Sequence, residues 1–187
     1  MRIISGSFKG KKILQPKDII TRPLKDMTKE SIFNIITHSN KFEFYFNKSY
    51  ILDLFSGVGS FGIECLSRGA KKVVFIENYK GVLPILKKNL IGLKNVLNYE
   101  IYEDDIFKNN ILSKINYKFN IIFLDPPYKT KNINYIFKQI KAHKVLNDKG
   151  IIILHRHKNE SDEISEKITI LDEKTYGISK IFFVSLN

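Results

Sequence analysis

Asn120-Ile121-Ile122-Phe123-Leu124-Asp125-Pro126-Pro127-Tyr128 decides how the rest of the chain is read. Four apolar residues in a row predict a strand buried on both faces. An acid, two prolines and an aromatic ring follow at once. Proline removes a backbone donor and fixes φ, so the pair ends the strand and stiffens what comes next. Asp125, Pro126, Pro127 and Tyr128 are thus expected at the carboxyl end of a buried strand, where open α/β sheets place their ligands. The plain alternative is a Pro-Pro turn with a surface tyrosine.

On both sides of this stretch the chain alternates strand and helix. Strands are expected at 51–55, 72–77, about 97–102, 120–125 and 150–154, with helices at about 60–68, 79–91, 106–115 and 131–145. Parallel neighbours need crossover helices, so the alternation predicts a doubly wound, Rossmann-like parallel sheet. Residues 167–171 and 180–185 have no helix between them and predict a closing hairpin that adds an antiparallel strand. Two regions are expected: 1–48, a small basic hairpin and helix, and 49–187, the α/β domain.

The 187 residues carry a formal net charge of +12. Of the 31 basic residues 27 are Lys and only four are Arg, so the total is moderate support for a nucleic-acid partner and position matters more. Residues 1–48 hold ten Lys/Arg against four Asp/Glu, a net of +6, which is half the total in a quarter of the length. Arg2-Ile3-Ile4 and Ile13-Leu14 flank a Gly-containing basic turn, which reads as a hairpin. Arg2, Lys9, Lys11, Lys12 and Arg22 are the candidate RNA contacts, against the alternative of a solvated hairpin. Thr21-Arg22-Pro23-Leu24-Lys25 reads as a linker. Asp26 caps a helix to about His38 with Ile32, Phe33, Ile35 and Ile36 on its buried face. The single cysteine, Cys65, excludes an internal disulfide and reads as a buried structural thiol, which fits a reducing, cytoplasmic compartment. No apolar run approaches the roughly 20 residues of a membrane span, and no signal-peptide pattern opens the chain. No metal is expected.

Asp53-Leu54-Phe55-Ser56-Gly57-Val58-Gly59-Ser60-Phe61-Gly62 follows the first strand of the sheet and opens a helix. Gly57, Gly59 and Gly62 spell a dinucleotide-type glycine loop, and Glu77, beside Asn78, ends the next strand where an acid grips ribose hydroxyls. A nicotinamide dehydrogenase is one reading, with pyrophosphate on the helix N-terminus. Asp53 argues against it, because a carboxylate there repels pyrophosphate and suits a cationic amino group, such as that of S-adenosylmethionine. Asp105, or Asp104 beside it, would accept from the adenine amine while Ile106 packs on the ring. Phe55 and Ser56 complete the loop.

With a sulfonium methyl donor in that loop, the acceptor belongs at the end of the 120–125 strand. An exocyclic amine on a nucleobase is a poor nucleophile, because its lone pair is delocalised into the ring. Asp125 and the Pro126 carbonyl, aimed at its hydrogens, would turn that lone pair towards the methyl group, and Tyr128 would stack on the base. A paired base is unreachable, so the target must be unpaired or flipped.

The chain resembles the bacterial small-subunit ribosomal RNA guanine-N2 methyltransferases, the RsmD-like family. The resemblance runs through Arg2-Ile3-Ile4-Ser5-Gly6, Thr21-Arg22-Pro23 with Asp26, Glu30 to Asn34, Asp53 to Gly62, Leu66 to Ala70, Glu77, Asp125 to Tyr128, and Tyr176-Gly177. It implies S-adenosylmethionine as donor, a guanine N2 in 16S ribosomal RNA as acceptor and a small-subunit assembly particle as substrate. A monomer is expected. The Asp-Pro-Pro-Tyr motif alone leaves a DNA or protein amino-group methyltransferase open, and an inactive RNA-binding assembly factor is a further alternative. Leu24 and His155 depart from the family's usual residues. Arg156, His157 and Lys158 read as a solvated loop, with phosphate contact as the other possibility.

Overall fold

The computed structural model describes residues 1–16, 24, 26–41, 43–108, 110–160, 162 and 164–186. Arg22 and its neighbours Thr21 and Pro23 lie outside the described residues.

Seven strands form one sheet: β1 (Tyr50–Leu54), β2 (Lys72–Ile76), β3 (Tyr99–Tyr102), β4 (Phe119–Leu124), β5 (Leu146–His157), β6 (Ile168–Tyr176) and β7 (Ser179–Leu186). Their order across the sheet is β3-β2-β1-β4-β5-β7-β6. The first five are parallel, and β7 runs antiparallel between β5 and β6. The helices are α1 (Asp26–His38), α2 (Ser60–Ser67), α3 (Leu83–Ile91) and α4 (Ile133–Ala142). The expected doubly wound fold with a closing antiparallel hairpin is the fold found. No helix among the described residues is long and apolar enough to cross a membrane.

Period-two alternation sorts the strand residues onto two faces. Ile51, Val73, Phe75, Ile121, Phe123, Ile151 and Ile153 join α1, α2, α3 and the N-terminal segment in one core. Leu52, Leu54, Val74, Ile122, Leu124, Ile152 and Leu154 join α4 and the 3-10 turn at Ile111–Lys114 in the other. Phe61 of α2 stacks on Phe123 at 4.1 Å between ring centres, and Phe33 of α1 stacks on Phe61 at 5.1 Å. By the same alternation Asp53 and His155 extend the rows of the first face, whereas Arg156 extends those of the second.

The N-terminal segment is stapled to α2 by a buried ion cluster. Glu64, wholly buried, accepts the N–H groups of Ile4 at 2.7 Å and Ser5 at 2.9 Å, and also Arg68 Nε at 2.9 Å. The Lys29 ammonium lies 3.8 Å from Glu64 and donates to the Arg2 carbonyl at 2.7 Å. Burial lowers the Lys29 pKa, while Glu64 and Asp26 pull it back up. Gly6 has φ +80, and a Cβ there would sit 1.8 Å from the Ser67 carbonyl oxygen, so only glycine lets the turn close on α2. The expected hairpin is present as an isolated antiparallel bridge between Arg2 and Lys12.

Two expectations need correction. The described residues of 106–115 do not form an α-helix; Ile106 and Phe107 lie in a turn, and a 3-10 element follows, entered through Asn110 at φ 48. And Arg156 and His157 are not in a loop, because β5 continues to His157, paired from Ile152 onward with β7. Arg156 stands opposite Lys180 and is only 1% exposed, which rules out both solvation and phosphate contact.

Candidate active site

β1 and β4 are parallel neighbours in register, with Asp53 beside Phe123 and Leu54 beside Leu124. Whatever follows these two strands must therefore meet at one edge. A cavity of about 1020 Å³ opens there, lined by Phe55, Ser56 and Gly57 after β1, by Glu77 and Asn78 after β2, and by Asp125, Pro126, Pro127 and Tyr128 after β4. Asp53 closes its base, and Met1, Gln15, Leu24 and Asp26 supply a wall from the N-terminal region. The glycine loop and the Asp-Pro-Pro-Tyr segment thus face a common space.

The loop after β1 is held by its own acids. Phe55 adopts φ 58, uncommon for a bulky residue and the kind of local strain that surrounding structure must hold in place. Glu77 accepts Gly57 N–H at 2.7 Å through one oxygen, and Asn78 and Tyr79 N–H through the other at 2.9 and 2.8 Å. A carboxylate has about four acceptor positions, so roughly one remains for a ligand hydroxyl. Asp53 accepts the Gly62 N–H at 2.9 Å in the first turn of α2. Gly62 packs so close to Phe75 that a Cβ would lie 2.3 Å from its ring. Burial drives the Asp53 pKa well above the ordinary carboxylate range; the Gly62 N–H opposes this, and the Asp125 and Glu77 charges add to it. Cys65 is wholly buried and its thiol pKa is likewise raised by burial, which leaves it unreactive.

Asp125 is tied to two neighbours in the sheet. Its N–H donates to Leu54 O at 3.5 Å, and its Oδ1 lies 2.8 Å from His155 Nδ1. Arg156, on the other face, clamps the loop that follows. It donates to Asp162 through Nε at 2.8 Å, to Thr130 O at 2.9 Å and to Pro127 O at 3.4 Å. The Tyr128 ring stands edge-on to His155 and His157, with centres 6.1 and 5.2 Å apart. His155 and Arg156 were missed as site residues in the sequence, although His155 shares parity with Ile151 and Ile153 in an unbroken apolar run.

Not every candidate lines the cavity. Gly59, at φ 83, precedes α2 and packs against Leu86. Ile106 is buried in the core beneath the second face. Asp104 accepts Asp105 N–H at 2.8 Å, and Asp105 accepts Phe107 N–H at 3.0 Å, so both acids shape the turn after β3. Phe107, 6.0 Å from Phe55 and from Tyr135, extends an aromatic cluster at that end. Arg2, Lys9, Lys11 and Lys12 are exposed on the N-terminal segment, and Lys11 Nζ donates to the Gly92 carbonyl.

The chemistry of the lining tests which cofactor fits. Four carboxylates, Asp26, Asp53, Glu77 and Asp125, face the cavity against one lysine, Lys129. Such a lining repels the pyrophosphate of a nicotinamide dinucleotide and attracts a cationic ligand. Ser60 Oγ, in a residue that lines the cavity, is buried and has no hydrogen-bond partner among the described residues, which leaves it open to a polar ligand. The sheet order and this cavity define a class I methyltransferase, and its cofactor is S-adenosylmethionine. Over residues 1–185 the chain matches, and belongs to, the family described as "Conserved hypothetical protein 95".

Relatives extend over nearly the whole length. "Putative rRNA methyltransferase YlbH" of Bacillus subtilis is 33% identical, covering 97% of this chain and 96% of its own. "Ribosomal RNA small subunit methyltransferase D" of Haemophilus influenzae is 32% identical, covering 95% and 90%. Among solved structures, "Putative methyltransferase yhhF" of Escherichia coli superposes with a TM-score of 0.81 at 26% identity, covering 100% and 97%.

Proposed function

We propose that this methyltransferase modifies the exocyclic N2 amine of a guanine in 16S ribosomal RNA, within a small-subunit assembly particle in the cytoplasm. The observation that carries the proposal is the common cavity, with the Asp125 carboxylate on one wall and the glycine loop on another. Relatives named for small-subunit ribosomal RNA support the choice of substrate.

S-adenosylmethionine supplies an electrophilic methyl group. Asp53 holds its ammonium and Glu77 its ribose, while Phe55, Ser56, Gly57, Gly59 and Asn78 shape the loop around it. Asp104 or Asp105 serves the adenine end, on a turn that Ile106 anchors from the core below. Across the cavity, Asp125 and the Pro126 carbonyl accept the two amine hydrogens and turn the nitrogen lone pair towards the methyl carbon. Pro127 stiffens the segment and Tyr128 covers the base. Most of the acceleration comes from alignment, with reacting atoms roughly 3–3.5 Å apart before transfer. Asp125 takes the proton that the amine loses. Residues 1–48 form an RNA-contacting region on the 49–187 domain, with Arg2, Lys9, Lys11, Lys12 and Arg22 against phosphates, and the protein acts as a monomer.

The test is mass mapping of methylated nucleosides in ribosomal RNA from cells with and without the protein. Loss of one N2-methylguanosine from 16S RNA is the expected result; a methyl group lost from the large-subunit RNA, from DNA or from a protein overturns the substrate assignment. In the purified enzyme, Asp125→Ala is expected to bind S-adenosylmethionine normally by calorimetry and to lose about a thousandfold in transfer.

A further inference from the structure

Guanine differs from the other amine-bearing RNA bases in the atom beside its amine. The ring nitrogen next to the amine of adenine or cytosine bears a lone pair. In guanine, N1 next to the N2 amine bears a hydrogen. An enzyme that selects guanine therefore profits from a second acceptor beside the one that holds the amine.

His155 has the chemistry of that second acceptor. Its Nδ1 lies 2.8 Å from Asp125 Oδ1, and its side chain is 8% exposed. An ionised Asp125 has no proton to give, so in the neutral ring Nδ1 carries the hydrogen and Nε2 is left with a bare lone pair. Nε2 is buried, lies in a residue that lines the cavity and has no hydrogen-bond partner among the described residues. Buried polar atoms in folded proteins are nearly always partnered, so this acceptor is complete only when a ligand donates to it.

We infer that His155 reads guanine, its Nε2 accepting the N1–H while Asp125 holds the adjacent amine. Adenine or cytosine in the same pose would set lone pair against lone pair. The inference rests on the proposal that the substrate is a guanine amine and supplies the side chain that selects it. Among the described residues, the charged and titratable groups around the imidazole are Asp125 from the end of β4, Asp53 beyond it on β1, and Tyr128 with His157 behind it. From β7 the residue opposite is Ile181, and Lys180 stands opposite Arg156.

The two ring nitrogens can be mimicked by an amide, whose N–H₂ can donate to Asp125 while its carbonyl accepts from the base. His155→Gln should therefore keep kcat/KM for small ribosomal subunits, isolated from cells lacking the protein, within about threefold of wild type. His155→Leu should lose about tenfold to a hundredfold, as expected for one lost base contact, with S-adenosylmethionine affinity unchanged by calorimetry. An imidazole that takes a second proton becomes a donor at both nitrogens. With S-adenosylmethionine saturating, the wild-type rate should thus begin to fall at a higher pH than the rate of the Gln variant. Equal activity of His155→Leu and wild type overturns the inference, as does a Gln variant as impaired as the Leu variant or one whose rate begins to fall at the same pH as that of the wild type. Should His155→Leu fail to fold, the Gln variant and its pH profile still decide. A wild-type enzyme that methylates an adenine or cytosine amine, or no RNA amine at all, overturns this inference together with the substrate proposal; guanine methylation insensitive to His155→Leu overturns only the inference.

Discussion

Two buried polar clusters flank α2, and they are finished differently. Behind the helix, Glu64 is met by two backbone N–H groups, by Arg68 and by Lys29, and Lys29 caps the Arg2 carbonyl. In front of it the cavity holds all four buried side-chain atoms that lack a hydrogen-bond partner among the described residues: Gln15 Oε1, Asp26 Oδ1, Ser60 Oγ and His155 Nε2. Asp26 Oδ1 has only the Lys29 ammonium, 3.9 Å away. A satisfied cluster fastens chain to chain, whereas a cluster with open valences fits a ligand. The Arg156 clamp belongs to the first kind but serves the second, since the backbone it holds is the one that leads away from Asp125.

The sharpest way to break this comparison is to remove the centre of the satisfied cluster. Glu64→Ala leaves the Lys29 ammonium buried without its closest acid and strands two backbone donors. Deleting one partner of a buried ion pair costs about 3–5 kcal/mol. For a chain of this length that lowers Tm by roughly 10 °C, read by calorimetric melting. A fall under about 2 °C would mean that the cluster fastens nothing. Next in size is Arg156→Met. The Thr130 carbonyl loses its Arg156 donor, Pro127 O keeps only the Thr130 N–H, and Asp162 loses its partner, so the loop after Asp125 is freed to shift. A displacement of about 1 Å costs near a hundredfold in an aligned reaction. The expected result is a fall of that order in kcat with cofactor affinity unchanged, and equal losses in both would place Arg156 in the general scaffold instead.

The difference between the clusters also explains what the sequence could tell. β2 and β4 are short apolar runs ended by an acid or by prolines, β1 runs into the glycine loop, and their parallel pairing follows from alternation with helices. Glu77 and Asp125 stand out because each closes such a run, and Asp53 because it is the one charge within β1, just before the glycine loop. Glu64 and Lys29 were not singled out, since their pairing joins segments 35 residues apart that meet only in the folded core. A signal existed: Glu64 is the lone charge among Phe61, Ile63, Cys65 and Leu66, and Lys29 shares a helical stripe with Ile32, Phe33 and Ile36. Arg156 was misread because charge next to an apolar strand usually marks its end. Only β7, pairing from the far side, extends β5 through it. Among the described residues no α-helix follows β3, because Asp104 and Asp105 just before the expected one spend their oxygens on backbone N–H groups, which favours a turn over a helix.

Asp53 offers a smaller test, in which function and stability move in opposite directions. Burial raises its pKa, so the folded protein binds a proton there more tightly than the unfolded chain does. At low pH the group is neutral in both states and costs nothing. As pH rises above the unfolded value and through the raised folded one, the folded state must ionise a buried acid, and stability is lost. Asp53→Asn removes that cost and can still accept the Gly62 N–H. Its Tm should exceed that of the wild type by a margin that grows between pH 4.5 and pH 8. A ligand ammonium prefers the carboxylate, so cofactor affinity of the wild type should rise with pH over the same range, and the variant should bind about tenfold more weakly at pH 8. A Tm margin that shrinks with rising pH would show that Asp53 is stabilised as an anion by the fold itself.

The smallest effect lies on the surface, far from either cluster. Lys9, Lys11 and Lys12 are exposed on a segment that the Glu64 cluster holds rigid, and a rigid segment presents its charges at fixed spacing. Each phosphate contact neutralised by a lysine releases counterions, and lowers the slope of log affinity against log salt by roughly 0.7–0.9. Reversing the three lysines to glutamate should therefore weaken binding to small-subunit RNA and flatten that slope by about two, while Tm and cofactor affinity hold. A slope reduced by less than one contact would leave the N-terminal segment as a wall of the cofactor cavity only, and would remove the RNA from that side of the molecule.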